Sequence, residues 1–182
     1  MTGFIERRFE HPSDILTYVE NSWVASGQPL IRIDGLTGVG KSTLAEGLER
    51  RLSATAIHGD CFIPTEGGSV DVVRLRHAAT VALGSTLVIF DTIRVGEYLP
   101  EVQFGRGFKV YVKKLRVAGV GENRIYVWQD GQELDNPDAQ DKYGVLAYHR
   151  KFKPQFHSDL VVAMAFEDLP EEEWRALRRP VF

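Results

Sequence analysis

Apolar and polar positions along the chain follow patterns that predict strands and helices in turn. Five short apolar runs have the length of buried strands: residues 30–33, 55–58, 85–91, 108–112 and 159–166. Four longer segments have the apolar spacing and end signals of helices: residues 12–26, 42–52, 69–83 and 138–152. Strands that alternate with helices form a parallel sheet with right-handed crossovers. The pattern therefore predicts one α/β domain over residues 1–182, with three layers, about five parallel strands and helices on both faces of the sheet.

The junction between the first of these strands and the helix at 42–52 carries the clearest chemical signal. Residues 35–43, GLTGVGKST, fit the pattern Gly-x-x-x-x-Gly-Lys-Ser/Thr, placed after a strand and before a helix. Glycines let the backbone wrap a phosphate chain closely, and the helix N-terminus points its positive dipole end at the same anion. We expect Lys41 to contact the β- and γ-phosphates and Ser42 to bind Mg²⁺; the alternative is a turn without a ligand. The predicted nucleotide-binding set is Gly35, Leu36, Thr37, Gly38, Val39, Gly40, Lys41, Ser42 and Thr43.

Two acidic residues follow later strands of the predicted sheet. Ligands of an open parallel sheet bind beyond the carboxyl ends of its strands. Asp60 comes just after the strand at 55–58, where it would accept the proton of an attacking hydroxyl or orient that hydroxyl. Asp91 ends the apolar run at 85–91, where a carboxylate would hold Mg²⁺ or its water shell together with Ser42. The alternative for each is a residue that caps a turn or a strand end.

Three arginines are candidates for contacts with the substrates. Arg94 follows Asp91, and Arg116 and Arg124 lie in a cationic segment that could form a lid at about 113–130. Such lids close over a nucleotide and neutralise charge on the transferred phosphoryl group. A solvated charged surface is the alternative for Arg116 and Arg124. Periodicity leaves the backbone of residues 114–123 open between a hairpin arm and a broken helix.

Composition narrows the class of protein. A net charge of −3, with basic residues scattered along the chain, gives no sign of a partner that is a nucleic acid or a membrane surface. No apolar run approaches the ~18 residues of a membrane span. Cys61 is the only cysteine, so the chain cannot form an internal disulfide. We expect a soluble, cytoplasmic protein.

Four segments resemble the uridine kinase-like branch of the P-loop nucleoside and nucleotide kinases. They are IDGLTGVGKST at 33–43, HGDCF at 58–62, VIFD at 88–91 and YHRKFKPQFHSDLVV at 148–162. The resemblance implies the three-layer P-loop NTPase fold and an ATP-dependent transfer to a hydroxyl group. It also implies that Asp60 is the base or the orienting group.

These observations lead to the prediction of a Mg-ATP-dependent small-molecule kinase. The expected cofactors are ATP and Mg²⁺, and the expected acceptor is a nucleoside or a hydroxyl compound of similar size. Alternatives are a kinase for another metabolite or for a nucleoside monophosphate, and a nucleotide-binding regulatory module without kinase activity. The Asn-Lys-x-Asp motif with which GTPases read their base does not occur in the sequence. The oligomeric state is left open.

Overall fold

The fold is seen in a computed structural model, which describes residues 6–9, 12–65, 69–84, 87–118, 125–128, 141 and 144–165. The strands in these residues are β1 (Glu6–Phe9), β2 (Leu30–Asp34), β3 (Thr55–His58), β4 (Val88–Asp91), β5 (Phe108–Ala118), β6 (Ile125–Trp128) and β7 (Leu160–Ala165). The α-helices are α1 (Pro12–Ser26), α2 (Lys41–Leu52), α3 (Val72–Leu83), α4 (Val95–Tyr98), α5 (Glu101–Phe104) and α6 (Val145–Phe152). Short 3-10 helices follow β3 (Gly59–Phe62) and α6 (Pro154–Phe156).

The described strands form one sheet in the order β1-β7-β5-β2-β4-β3, and each neighbouring pair along this path is parallel. The remaining strand, β6, pairs with β5 in the antiparallel direction. Because β2, β3 and β4 run in the same direction, they end at the same edge of the sheet. Their last residues are Asp34, His58 and Asp91.

Side chains that alternate along β2 belong to two separate cores, as the two-residue period of a strand requires. Ile33 belongs to a core that includes Val19 of α1 and Leu48 of α2. Leu30 belongs to a second core that includes Leu75 of α3. Burial of each such side chain stabilises the fold by about 1.5–3 kcal/mol. Helices therefore cover both faces of the sheet, and the predicted α/β class with a parallel sheet is confirmed.

Helix α2 is held firmly at both ends and along one side. Gly40 precedes it with φ +92°, and Ser53 ends it in the left-handed conformation while its N–H donates to the carbonyl of Glu49. A Cβ at Gly47 would lie 2.6 Å from Leu16 Cδ2, so α1 and α2 approach as closely as a glycine allows. This packing fixes the direction of α2 and hence the position of the loop before it.

The sheet is larger than the sequence pattern predicts. The pattern indicates about five strands, whereas the described residues contain six parallel strands and β6. The sequence of β1, ERRF, lacks the apolar run by which the other parallel strands are recognised. Its backbone pairs with β7 all the same.

Two helices begin later than predicted, and each has a carboxylate near its start. Asp71 caps α3 by accepting a hydrogen bond from the N–H of Arg74 at 3.1 Å, so the helix begins at Val72 and not near residue 69. Asp141 accepts hydrogen bonds from the N–H groups of Leu146 and Ala147 in α6. That helix begins after Gly144, which has φ +67°, so the predicted start at residue 138 is wrong.

The described backbone decides between the two alternatives for residues 114–123. Strand β5 continues to Ala118, and its last four residues pair with β6. The hairpin arm is confirmed and the broken helix is wrong, although residues 119–124 lie outside the described part. None of the helices described is both long and apolar enough to cross a membrane.

Candidate functional site

The glycine-rich loop at residues 35–40 joins β2 to α2 at the carboxyl edge of the sheet. Gly35 has φ +150°, and a Cβ at this position would lie 2.5 Å from the carbonyl oxygen of Val112. Only glycine fits here, because a side chain would meet the backbone of β5. Residues 37 and 38 of the loop are exposed, as is Ser42, while Thr43 is half-buried.

Lys41, the first residue of α2, is buried in this loop. Its Nζ donates a hydrogen bond to the carbonyl oxygen of Leu36 at 2.8 Å, so the lysine crosses the loop from one end to the other. The first N–H groups of a helix have no partner within the helix, and its dipole makes this end positive. The loop thus combines exposed backbone with a concentration of positive charge.

Asp91 lies buried at the end of β4, next to β2 in the sheet. Its Oδ2 is 2.9 Å from Nδ1 of His58, the residue opposite it on β3. The hydrogen bond to Asp91 raises the pKa of His58, against the effect of partial burial. The structure therefore gives Asp91 a histidine partner, which the sequence pattern did not indicate.

Asp60 lies on the 3-10 helix that follows β3, and its side chain is exposed. No described residue forms a hydrogen bond with its carboxylate. The preceding Gly59 is packed closely against Thr92, since a Cβ there would lie 2.4 Å from Thr92 Oγ1. Asp60 therefore follows β3, and Asp91 is the last residue of the neighbouring strand β4. Both lie at the same edge of the sheet, where Asp91 is buried and Asp60 is exposed to solvent.

The predicted arginines contribute little to this edge in the described residues. Arg94 Nε donates to Glu97 Oε2 at 2.8 Å, and its guanidinium lies 5.2 Å from the ring centre of Tyr98. It is thus held against its own helix. Arg116 lies on β5, but its side chain, the whole of Arg124 and residues 119–124 and 129–130 of the predicted lid are outside the described residues.

Asp34, directly before the loop, is a buried acid that is not among the predicted site residues. Asp34 Oδ1 accepts a hydrogen bond from the N–H of Gly35 at 2.8 Å, and Oδ2 accepts one from the hydroxyl of Tyr148 at 2.8 Å. Burial raises its pKa to about 7, although the two hydrogen bonds and the charge of Lys41 act in the opposite direction. The negative charge of Asp91 contributes to the increase. Asp34 and Lys41 are therefore electrostatically coupled across the start of the loop.

A second buried side chain, His149, faces Asp34 from α6. Its Nε2 lies 3.7 Å from Asp34 Oδ1 and has no hydrogen-bond partner in the described part of the chain. Nδ1 lies 2.8 Å from the carbonyl oxygen of Val145. Burial lowers the pKa of His149 to about 4, so the imidazole is neutral at pH 7 and Nδ1 is the donor. Nε2 then carries the lone pair of the ring, 3.7 Å from Oδ1 of Asp34.

One signal for Asp34 was present in the sequence. It is an acid at the end of an apolar run, the same feature that drew attention to Asp91. Tyr148 and His149 gave no comparable signal, because they are 114 and 115 residues away from Asp34 and only the fold brings them together.

A cavity of about 330 Å³ is lined by residues of β2, β5 and α6 and reaches Asp34. Its polar lining includes Arg32, Asp34, Glu101, Lys109 and Tyr148. Its apolar lining includes Val95, Val110, Phe152 and Pro154. The cavity therefore has the mixed lining that is typical of small-molecule sites.

Comparison with known proteins adds no family to this description. The chain matches no protein-family model and none of the curated proteins.

Proposed function

We propose that the protein is a kinase that transfers the γ-phosphate of Mg-ATP to a hydroxyl group of a small molecule, most simply a nucleoside. The observation that carries this proposal is the 35–40 loop, in which glycine backbone encloses the buried Lys41 at the start of a 12-residue helix. We also propose that the fold is the three-layer P-loop NTPase fold. In its support, the strand before the loop lies beside a strand that ends in an acid, Asp91.

The loop would bind the phosphates through its backbone N–H groups and the helix dipole. Lys41 would exchange the carbonyl oxygen of Leu36 for phosphate oxygens, a move that leaves the ammonium in the same loop. Such donors lower the barrier when they are already oriented towards the charge that develops on the transferred group. The tight packing of α2 against α1 supplies this orientation.

Magnesium fits the side chains at this edge, although the described residues contain no group of three or more His, Cys, Asp or Glu that could hold a metal. Mg²⁺ in phosphoryl-transfer enzymes needs only one or two protein oxygens, because phosphates and water complete its shell. The exposed Ser42 hydroxyl and the Asp91 carboxylate are the oxygens that would hold it. When bound, the metal would neutralise charge on the phosphates. His58 would keep Asp91 oriented through the bond to its Oδ2.

Measurement of ATP turnover with and without nucleosides tests the proposal. A kinase shows turnover that an acceptor stimulates, whereas a nucleotide-binding regulatory module binds ATP without such stimulation. Lys41→Ala should abolish the stimulated turnover, while Lys151→Ala, which removes an exposed lysine of α6, should not. Stimulated turnover that survives Lys41→Ala would contradict the role of the loop.

A further inference from the structure

The cavity beside Asp34 is bounded by a buried arginine whose hydrogen bonds are incomplete. Arg32 is 2% exposed, and its two terminal nitrogens donate to the carbonyl oxygens of Leu99 and Gly105. Its Nε has no hydrogen-bond partner among the described residues. Buried N–H groups in folded proteins are nearly always paired, so this N–H is a donor that is available to an acceptor atom of a ligand.

Both cations around the cavity already have partners before any ligand enters. Lys109 forms an ion pair with Glu101, whose charge also acts on Arg32, and the terminal nitrogens of Arg32 donate to two carbonyl oxygens. An anionic ligand such as a phosphate or carboxylate would be repelled by Asp34 and Glu101, and both cations in the lining already have partners. The lining therefore favours an uncharged ligand that has both hydrogen-bond donors and acceptors.

Size and apolar contacts narrow the ligand further. Small-molecule sites range from about 300 to 1,000 Å³, and a cavity of about 330 Å³ is at the lower end of that range. Phe152 at the rim is 45% exposed, and its ring centre lies 5.1 Å from that of Tyr148. An aromatic ring on the ligand could pack against this pair.

The cavity also reaches the loop that is proposed to bind ATP. Asp34 is part of the cavity lining, and its Oδ1 holds the first N–H of that loop. Each oxygen of a carboxylate has room for a second hydrogen bond beyond the one it accepts now. A hydroxyl group in the cavity could therefore bind Asp34 without displacing Gly35 or Tyr148.

From these observations we propose that the cavity binds the phosphate acceptor, an uncharged hydroxyl compound of nucleoside size, and that Asp34 accepts a hydrogen bond from its hydroxyl group. This inference rests on the proposed kinase function. It differs from the assignment that the family resemblance implies, in which Asp60 meets the acceptor. Arg32 Nε would donate to an acceptor atom on the base.

Calorimetric titration of four nucleosides, uridine, cytidine, adenosine and guanosine, tests the site in a matched pair of variants. Phe152→Ala removes a ring that lines the cavity, and Phe156→Ala removes a ring that is 64% exposed and does not line it. The best-bound nucleoside should bind Phe152→Ala about tenfold more weakly and Phe156→Ala as it binds the unchanged protein. Its 5′-monophosphate should bind the unchanged protein more weakly than the nucleoside does. Equal affinities in the two variants, or no nucleoside binding at all, would overturn the site.

A second pair of variants separates Asp34 from Asp60. Asp34→Asn should weaken nucleoside binding about tenfold, because the new amide cannot accept at both of its ends, while Asp60→Asn should not. A thermal melt establishes that each variant is folded. If Asp60→Asn weakens nucleoside binding and Asp34→Asn does not, the acceptor contacts Asp60 and the inference is overturned.

Turnover distinguishes failure of this inference from failure of the proposed function. If nucleosides stimulate ATP turnover and neither Phe152→Ala nor Asp34→Asn reduces that turnover, the kinase function is supported and the cavity is not its acceptor site. If both changes weaken nucleoside binding but nucleosides do not stimulate ATP turnover, the cavity is a nucleoside-binding site and the proposed kinase function is contradicted.

Discussion

The hydroxyl of Tyr148 donates to the carboxylate of Asp34 at 2.8 Å across 114 residues of sequence. The same hydroxyl accepts a hydrogen bond from the N–H of Gly96 at 3.2 Å. One phenol oxygen therefore joins α6, α4 and the end of β2, directly before the glycine-rich loop. This bond connects the loop to the cavity behind it.

Removal of this hydroxyl should destabilise the protein. Tyr148→Phe leaves a buried carboxyl oxygen of Asp34 without its donor, which costs about 1–3 kcal/mol. Urea denaturation of Tyr148→Phe, Asp34→Asn and the double variant measures the coupling between the two side chains. The double variant should lose less stability than the sum of the two single losses. Strict additivity would show that the two groups do not interact energetically.

The parts of the fold that local sequence determines could be predicted. Strand β2 and helix α2 are a short apolar run and a segment with apolar residues at helical spacing, and the spacing of glycines and Lys41 between them defines the loop. Strand β1 has the sequence ERRF, and its membership of the sheet depends on pairing with β7. No periodicity within four residues can report a partner that lies more than 150 residues away.

The candidate site divides in the same way. Lys41, Asp60 and Asp91 could be proposed from the sequence because each stands at a recognisable position after or at the end of a strand. Asp34 was overlooked because its environment comes from Tyr148 and His149 on a distant helix. Burial and the direction of a side chain are tertiary properties, and they decide which acid lines the cavity.

Asp34 and His149 should give opposite pH dependences of stability. The pKa of Asp34 rises from 3.8 to about 7 on folding, so the folded state binds more protons in this range and stability falls as the pH rises from about 4 to 7. The pKa of His149 falls from 6.5 to about 4, so stability rises with pH between about 4 and 6.5. At about 1.4 kcal/mol for each pKa unit, the effect is limited to about 4.5 kcal/mol for Asp34 and about 3.5 kcal/mol for His149.

Two single variants separate these contributions. Asp34→Asn retains His149, so its stability should rise between pH 4 and 6.5. His149→Gln retains Asp34, so its stability should fall between pH 4 and 7. Urea denaturation across this range measures both profiles. Parallel profiles for the two variants would mean that neither group titrates as its surroundings indicate.

Two glycines of the loop should respond differently to a methyl group. Gly35→Ala brings a Cβ to 2.5 Å from the carbonyl oxygen of Val112, in a backbone conformation of φ +150°. Gly38→Ala has nothing within 4 Å of the new Cβ and faces only the strain of φ +77°, about 1–2 kcal/mol. Gly35→Ala should therefore lose about 1–3 kcal/mol more than Gly38→Ala in chemical denaturation. Equal losses would show that β5 moves away from the loop at little cost.

The pair between His58 and Asp91 can be followed directly by NMR. The hydrogen bond to Asp91 raises the pKa of His58, so its ring should titrate above the usual 6.5 in the unchanged protein. Asp91→Asn replaces the charged acceptor with a neutral amide, and the pKa of His58 should then fall, because partial burial still disfavours the charged ring. Glu97→Gln is a matched control, since it neutralises an acid that pairs with Arg94 and not with His58. If the pKa of His58 is the same in Asp91→Asn as in the unchanged protein, the two side chains do not interact in solution. His58 could then not orient Asp91 at the proposed metal site.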